Sequence, residues 1–297
     1  MLQNKTIAVV IPAYNEEKQI ASVIETIPAF VDKIIVVNDC STDKTSEIIK
    51  HFRETEINIS IEIKPISTHS TSGKYNNAQR LLINQLQEEI KKFPKATIEN
   101  VSPETDRIIQ INLLKNSGVG AAIARGYKWC KDYGIDCTAV MAGDGQMDPD
   151  ELESICTPVV ESNIDYVKGN RLIHRSALLV IPKIRYFGNS VLSILTKIAS
   201  GYWHVSDTQC GYTAISNKAL NALRLYAIYA RYGMPNDILV KLNIAMCTIK
   251  EVEIKPIYNI GESSKMKIGK VIPRISWLLF KSFFKASQSF SIKHLER

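Results

Sequence analysis

Continuous apolar runs alternate with amphipathic stretches through the first half of the chain. Thr6–Ile11 (TIAVVI), Lys33–Val37 (KIIVV) and Cys137–Met141 carry almost no polar interruption, and Ile108–Asn112 and Asp165–Lys168 continue the series. Runs of this length without alternation predict strands of a parallel sheet buried on both faces. Between them the apolar spacing turns helical, over Glu16–Ile27, Asp43–Phe52, Val119–Tyr133 and Pro149–Val160. This order predicts a doubly wound, Rossmann-like α/β fold: a mostly parallel sheet, helices on both faces, and ligands at the carboxyl ends of the strands.

The rhythm breaks over residues 53–107. "INISIEIKPI" alternates like an edge strand, "STHSTSGKYNN" is loop chemistry, and "AQRLLINQLQEEIKKF" is an amphipathic helix. The segment reads as an α/β insertion with its own strand and helix, since a structureless loop of that length is uncommon in a compact domain. The second half is less regular: helices at Ile184–Ser200 and Asn236–Cys247, a strand-like Gln209–Ser216, and an alternating strand Thr248–Pro256. The chain divides into a domain over 1–260 and a basic, apolar segment over 261–297. There "VIPRISWLLFKSFFKASQSF" mixes aromatic residues with Arg274, Lys281 and Lys285. It is too short between charges to span a bilayer, so it predicts an amphipathic helix at a membrane interface or docked on the protein's own core.

Composition narrows the partners. The net charge of +7 favours anionic ligands, such as a nucleotide, a lipid phosphate or an acidic membrane surface. No zinc-finger spacing and no basic region with heptads points to nucleic acid. The 6 cysteines form no C-x-x-C pair in a chain large enough to need no covalent staples, which favours a reduced, cytoplasmic setting.

The densest chemistry lies in "VMAGDGQMDPDEL", Val140–Leu152. Asp148, Pro149 and Glu151 have the spacing of a helix N-cap, a first-turn proline and a capping box, and Asp150 suits the first turn. Asp144 has no such structural role. It ends a strand between Gly143 and Gly145, and with Gln146 offers hard oxygen ligands for Mg²⁺ or Mn²⁺ shared with substrate phosphates. Asn15 can cap the first helix, and Tyr14 can meet a nucleobase or enter the core. Asp39 at the end of the second strand can accept a base or ribose proton. Ser41, Thr42 and Asp43 predict the cap of the next helix. Gly118 and Gly120 precede a helix, as in a phosphate-binding loop.

Taken in order, "VVIPAYNEE", "IIVVNDCSTDKT", "KNSGVGAAIARG", "DGQMDPDEL" and "GNR" resemble the family 2 glycosyltransferases of GT-A fold, over about Ile7 to Asn259. "SDTQCGYTAIS", "MPNDILVKLNIA" and "ESSKM" resemble the branch that includes dolichol-phosphate mannose synthases, which moves a sugar from a nucleotide to a polyprenyl phosphate. The resemblance implies that Pro12, Tyr14, Glu16, Asp39 and Gly118 hold the nucleotide sugar. Asp144 matches the second acidic position of a D-x-D metal motif and Gln146 a further ligand, whereas the first acidic position is Ala142. Arg171 and Arg185 match contacts to the acceptor phosphate or donor diphosphate, and Lys265 a late basic residue over the phosphates. Asp237 falls where inverting relatives place a general base. An alcohol acceptor needs one, but a phosphate monoester, with a second pKa of about 6, is already anionic. For that acceptor Asp237 is expected to orient an Arg or Lys. The expectation is a metal-assisted inverting transferase, peripheral at the cytoplasmic face of a membrane, with Asp144, Arg171 and Asp237 at the chemistry. The alternative is transfer to a hydroxyl, with Asp237 as base.

Overall fold

The apolar runs become strands buried along all or nearly all of their length: β1 (Ile7–Ala13), β2 (Lys33–Asn38), β4 (Ile108–Leu113), β5 (Cys137–Val140) and β6 (Tyr166–Asn170). The computed structural model describes residues 1–56, 61–65, 76–258 and 273–284. With β3 (Ala96–Ile98), β7 (Thr213–Ser216) and β8 (Ile249–Glu253) they form one 8-stranded sheet of order β3-β4-β2-β1-β5-β7-β6-β8. The pairing is parallel except where β3 meets β4 and where β7 lies between β5 and β6. Helices α1 (Ile20–Glu25), α2 (Thr45–Thr55), α4 (Val119–Asp132), α5 (Leu152–Ser162) and α9 (Met234–Ile244) help cover it. Two apolar clusters lie on its opposite faces, one led by Val10, Ile35 and Ile109, the other by Val9, Val36 and Leu152. The mostly parallel, helix-covered sheet is the expected fold class.

Register decides where the ligand edge lies. Ala13 pairs with Asn38, Asn38 with Asn112, and Val10 with Val140, so these strands finish together. Tyr14, Asp39, Asn116 and Asp144 therefore emerge along one edge. Because β7 is antiparallel, with Thr213 opposite Val140, it is its beginning that reaches the same edge. Gln209–Tyr212, expected to be strand, instead turn along that edge ahead of β7.

Three local expectations change. The first helix starts at Ile20, not Glu16, because the turn before it is tied to a neighbouring loop. Ser41 Oγ, Thr45 Oγ1 and Asp43 accept from the N–H groups of Asn15, Glu16 and Glu17. Asn15, at φ 54°, accepts from Thr42 N–H at 2.8 Å and does not cap its own helix. Asp148 caps a 3-10 turn over Pro149–Glu151, accepting from Asp150 N–H at 3.0 Å. Glu151 does not close a capping box. Its carboxylate reaches Lys255 N–H at 2.8 Å, joining this turn to the segment after β8.

In the insertion, α3 (Asn77–Ile90) forms where the amphipathic pattern predicts it. The alternating segment does not pair as a strand over its described part, residues 61–65. Ile63 is buried there, and its N–H donates to Glu104 O. The edge strand is β3, too short to register in the sequence pattern. Lys33, fully buried, donates to the carbonyls of Glu104 and Asp106 at 2.8 Å each and ties the insertion to β2.

The second half adds α6 (Ala177–Val180), α7 (Lys183–Ser200), α8 (Asn217–Ala222) and a helix over 273–284, α10. Ile275 and Leu279 of α10 are buried with Leu192 and Val240, while Trp277, Phe280, Phe283 and Phe284 stay exposed. So α10 is docked on the core by one stripe and leaves an aromatic stripe outward. Among the described residues no helix is long and apolar enough to cross a membrane.

Candidate active site

A cleft of about 700 Å³ opens along the carboxyl edge of the sheet. Its walls bring together nearly all the residues expected from the sequence: Pro12, Tyr14, Glu16, Asp39, Gly118, Asp144, Gln146, Arg171 and Arg185. Lys265 lies outside the described residues.

On the strand side, the carboxylates are held by backbone. Asp39 is 3% exposed and accepts from Ser117 N–H at 2.6 Å and Gly118 N–H at 2.8 Å. Burial pushes its carboxyl up, against the opposing pull of these two bonds and of Arg231. The loop before α4 is thereby moulded on Asp39, and Gly118 has already given its N–H to protein. Gly120 is also committed, because a Cβ there would lie 2.1 Å from Tyr229 O. These glycines admit a neighbouring loop, so the phosphate-loop reading gives way to a packing one.

Asp144 follows β5 through Gly143, whose N–H meets Pro12 O at 3.3 Å and whose Cβ position would lie 3.2 Å from the same oxygen. That glycine lets β5 and β1 stay close past the end of their pairing. Asp144 Oδ1 accepts from Gln146 N–H at 3.1 Å, a turn made with Gly145 at φ 74°. Both side chains line the cleft. Ala142 lines it too, and its N–H points to Met147 Sδ at 3.2 Å. Among the described residues no group of three His, Cys, Asp or Glu could hold a metal. One carboxylate and one amide nevertheless suit Mg²⁺ or Mn²⁺, which keep waters and take their remaining oxygens from phosphates.

The opposite side is built from paired side chains. Arg171, just past β6, donates through Nε and Nη2 to the two oxygens of Asp207, at 2.7 and 3.0 Å. Asp207 is fully buried and also accepts Arg171 N–H. Burial drives its carboxyl up, but the guanidinium and its hydrogen bonds outweigh burial and hold it below the usual range. Glu251 on β8 braces this pair, accepting from Ser206 N–H, Asp207 N–H and Asn170 Nδ2. Arg185 sits on the first turn of α7, its guanidinium 5.6 Å from the Tyr258 ring centroid.

Asp237 is elsewhere. It is 5% exposed, is absent from the described cleft wall, pairs with Lys241 and accepts Tyr229 N–H at 2.8 Å. This departs from a base turned toward substrate and agrees with a carboxylate that orients a cation. The sequence reading missed Arg231 and Tyr232, both exposed and both lining the cleft. The signal available was the G-x-G of Gly118 and Gly120 at the start of α4, which marks where another backbone approaches.

In an open α/β sheet ligands bind in the crevice at the carboxyl ends of the strands, which is where this cleft gathers Glu16, Asp39 and Asp144 opposite Arg171 and Arg185. The chain belongs to glycosyl transferase family 2, whose model matches residues 8–81 and 86–224, and is a glycosyltransferase. The UDP-N-acetylglucosamine–dolichyl-phosphate N-acetylglucosaminyltransferase of Methanococcus voltae is 29% identical over 258 residues, 86% of this chain and 88% of that protein. The dolichyl-phosphate beta-glucosyltransferase ALG5D of Trichomonas vaginalis is 22% identical over 90% of this chain and 69% of its own. In solved structures, the fold is similar to glucosyl-3-phosphoglycerate synthase of Mycobacterium tuberculosis, crystallised with Mn²⁺ and UDP. That likeness has TM-score 0.57 at 16% identity, covering 95% of this chain and 80% of that one.

Proposed function

We propose that this chain transfers a sugar from a nucleoside diphosphate sugar to the phosphate of a dolichyl or polyprenyl phosphate, inverting the anomeric carbon, at the cytoplasmic surface of a membrane. The observation that carries this reading is on α7. Ile184, Phe187, Val191, Ile194 and Ile198, three and four residues apart, are all exposed, from 37% to 77%. The cleft-lining Arg185, Asn189 and Leu192 belong to the same helix. An apolar stripe of this kind suits acyl chains, with Lys183 and Lys197 near it for anionic headgroups. Leu178 and Leu179 of α6, at 71% and 87% exposed, and the aromatic stripe of α10 extend the apolar surface. A lipid held there would present its phosphate to Arg185 and Arg171.

The residues fit this acceptor. The phosphate monoester oxygen attacks without a base, consistent with Asp237 lying behind the wall. Arg171, fixed by Asp207, and Arg185 would offset the repulsion between acceptor phosphate and donor diphosphate. Asp144 and Gln146 would hold Mg²⁺ or Mn²⁺, which when bound stabilises charge on the departing nucleoside diphosphate. The acceptors in the relatives' names support the same class.

The test offers UDP- and GDP-sugars with Mg²⁺ or Mn²⁺ to the purified chain, with polyprenyl phosphate or polyprenol in vesicles, or a free glycan. A product on polyprenyl phosphate alone is expected. Transfer only to hydroxyl acceptors would overturn the proposal.

A further inference from the structure

Residues 228–233 connect a 3-10 turn at Leu225–Ala227 to α9. This connection is irregular but firmly held. Lys241 Nζ donates to Ala227 O at 2.9 Å. The Asp237 carboxylate takes Tyr229 N–H and pairs with the same lysine. From the other side, Ala121 N–H donates to Ala230 O at 3.1 Å. The fit demands glycine at 118, where a Cβ would lie 2.5 Å from Ala230 O, while Gly233 brings the loop's end close to Leu278 of α10.

What this loop delivers to the cleft is a cation. Arg171 is engaged by Asp207, and Arg185 faces Tyr258, but the Arg231 guanidinium has no carboxylate partner among the described residues. Its charge acts on Asp39, drawing that carboxyl down against burial. The adjacent Tyr232 phenol is pushed up by burial and then by the carboxylates of Glu16 and Asp144. The Cβ position of Gly118, whose N–H is held by Asp39, would lie 3.0 Å from Arg231 Cγ. Arg231 and Tyr232 line the same cleft as Glu16 and Asp144, so the loop stands over the expected donor site. A donor lying from Asp39 to Asp144 passes its diphosphate beneath the loop.

We infer that Arg231 binds the donor diphosphate, and that Asp237 is a positioning residue that holds the Arg231 loop in place. The inference rests on the reading of this cleft as a nucleotide-sugar site. Guanidinium suits it, because its planar fork makes paired charge-assisted bonds to phosphate oxygens. Asp237 acts at a distance from the ligand, through Tyr229 and Lys241.

Calorimetric titration with UDP, GDP and the corresponding nucleosides tests both halves. Arg231→Gln, an exposed site, is expected to weaken whichever nucleoside diphosphate binds by about tenfold or more, the scale of a lost charge-assisted bond, and to leave the nucleoside nearly unchanged. Asp237→Ala removes the anchor and should weaken the same nucleotide in the same way. Asp237→Asn keeps an acceptor for Tyr229 N–H and should largely restore affinity, with kcat near the wild-type value. Wild-type affinity in Arg231→Gln overturns the phosphate contact. In Asp237→Asn, unchanged nucleotide affinity with a kcat loss of about 10²- to 10⁴-fold overturns the positioning role, since that is the signature of a lost base. A wild-type chain that binds neither nucleotide overturns the donor reading itself, and this inference with it. If Asp237→Ala does not fold, the other two variants decide.

Discussion

The two walls of the cleft neutralise their charges in different ways. The strand-end wall uses backbone: Asp39 is held by two N–H groups, and Asp144 is turned by the N–H of Gln146. The far wall uses side chains in pairs: Arg171 is held by Asp207, and behind the wall Asp237 is paired with Lys241. A backbone partner is fixed once the sheet registers, so the first wall is ready for a small polar ligand as soon as the core forms. A side-chain pair depends on both residues and can be broken by one substitution. The far wall also continues into exposed apolar helices, which the strand wall does not. One wall is suited to a nucleotide, the other to something partly greasy.

The contrast is broken most severely at Asp207. Asp207→Asn leaves the partly buried Arg171 guanidinium without its counter-charge, which should destabilise the fold by about 3–5 kcal/mol in urea titration. Lys255→Ala, opposite Asp148 at an exposed pair, should cost less than about 1 kcal/mol. The pH dependence has a definite sign. Asp207 is held below its unfolded pKa, so its contribution is full above the usual carboxylate range and is lost as pH falls through the folded value. A cost at Asp207 no larger than that at Lys255 would mean that the Arg171–Asp207 pair is worth no more than an exposed one, and would remove the far wall's dependence on side-chain pairing.

Next comes Asp144. Asp144→Ala should lower sugar transfer by about 100-fold or more and abolish the rise in melting temperature that Mg²⁺ or Mn²⁺ with a nucleoside diphosphate produces in the wild-type chain. Full activity would remove the metal assignment.

A smaller effect is expected on the greasy side. Phe187→Glu with Ile194→Glu should weaken sedimentation with vesicles containing anionic lipid, each side chain forfeiting about 1.5–3 kcal/mol of apolar burial. Turnover of a water-soluble short-chain phosphate acceptor should survive, since neither residue lines the cleft. Unchanged vesicle binding would detach α7 from the membrane.

How far the sequence discloses this arrangement follows the same division. Backbone-held features were legible: unbroken apolar runs imply buried parallel strands, and such strands place Asp39 and Asp144 on one edge. Side-chain pairing was not. Asp207 lies in a polar stretch whose partner is 36 residues away, and nothing in spacing marks the bond to Arg171. No motif or spacing singles out Arg231 and Tyr232, whose place is set by the seating of their loop on Gly118 and Gly120. The capping spacing of Asp148 and Glu151 was legible as a turn, but the pull of Lys255 on Glu151 belongs to tertiary structure. For the same reason the first helix lost its leading turn to bonds from Ser41, Asp43 and Thr45.

The gentlest probe of the backbone principle lies at the other end of β2. Lys33 is a fully buried cation that donates to two carbonyls, and burial lowers its pKa to about 8 from 10.5 despite the nearby acids. Its folded pKa is below the unfolded one, so between those values the unfolded chain binds more protons and stability from this group rises with pH. Between about pH 7 and 8.5 the gain should be roughly 1 kcal/mol. Lys33→Met should flatten that rise in paired urea titrations, and the difference between the two curves isolates Lys33 from the buried thiols. Were the difference to fall with pH instead, the ammonium would be better satisfied inside than in water. Carbonyl dipoles would then match a carboxylate as a partner for buried charge, and the two walls would differ in geometry alone.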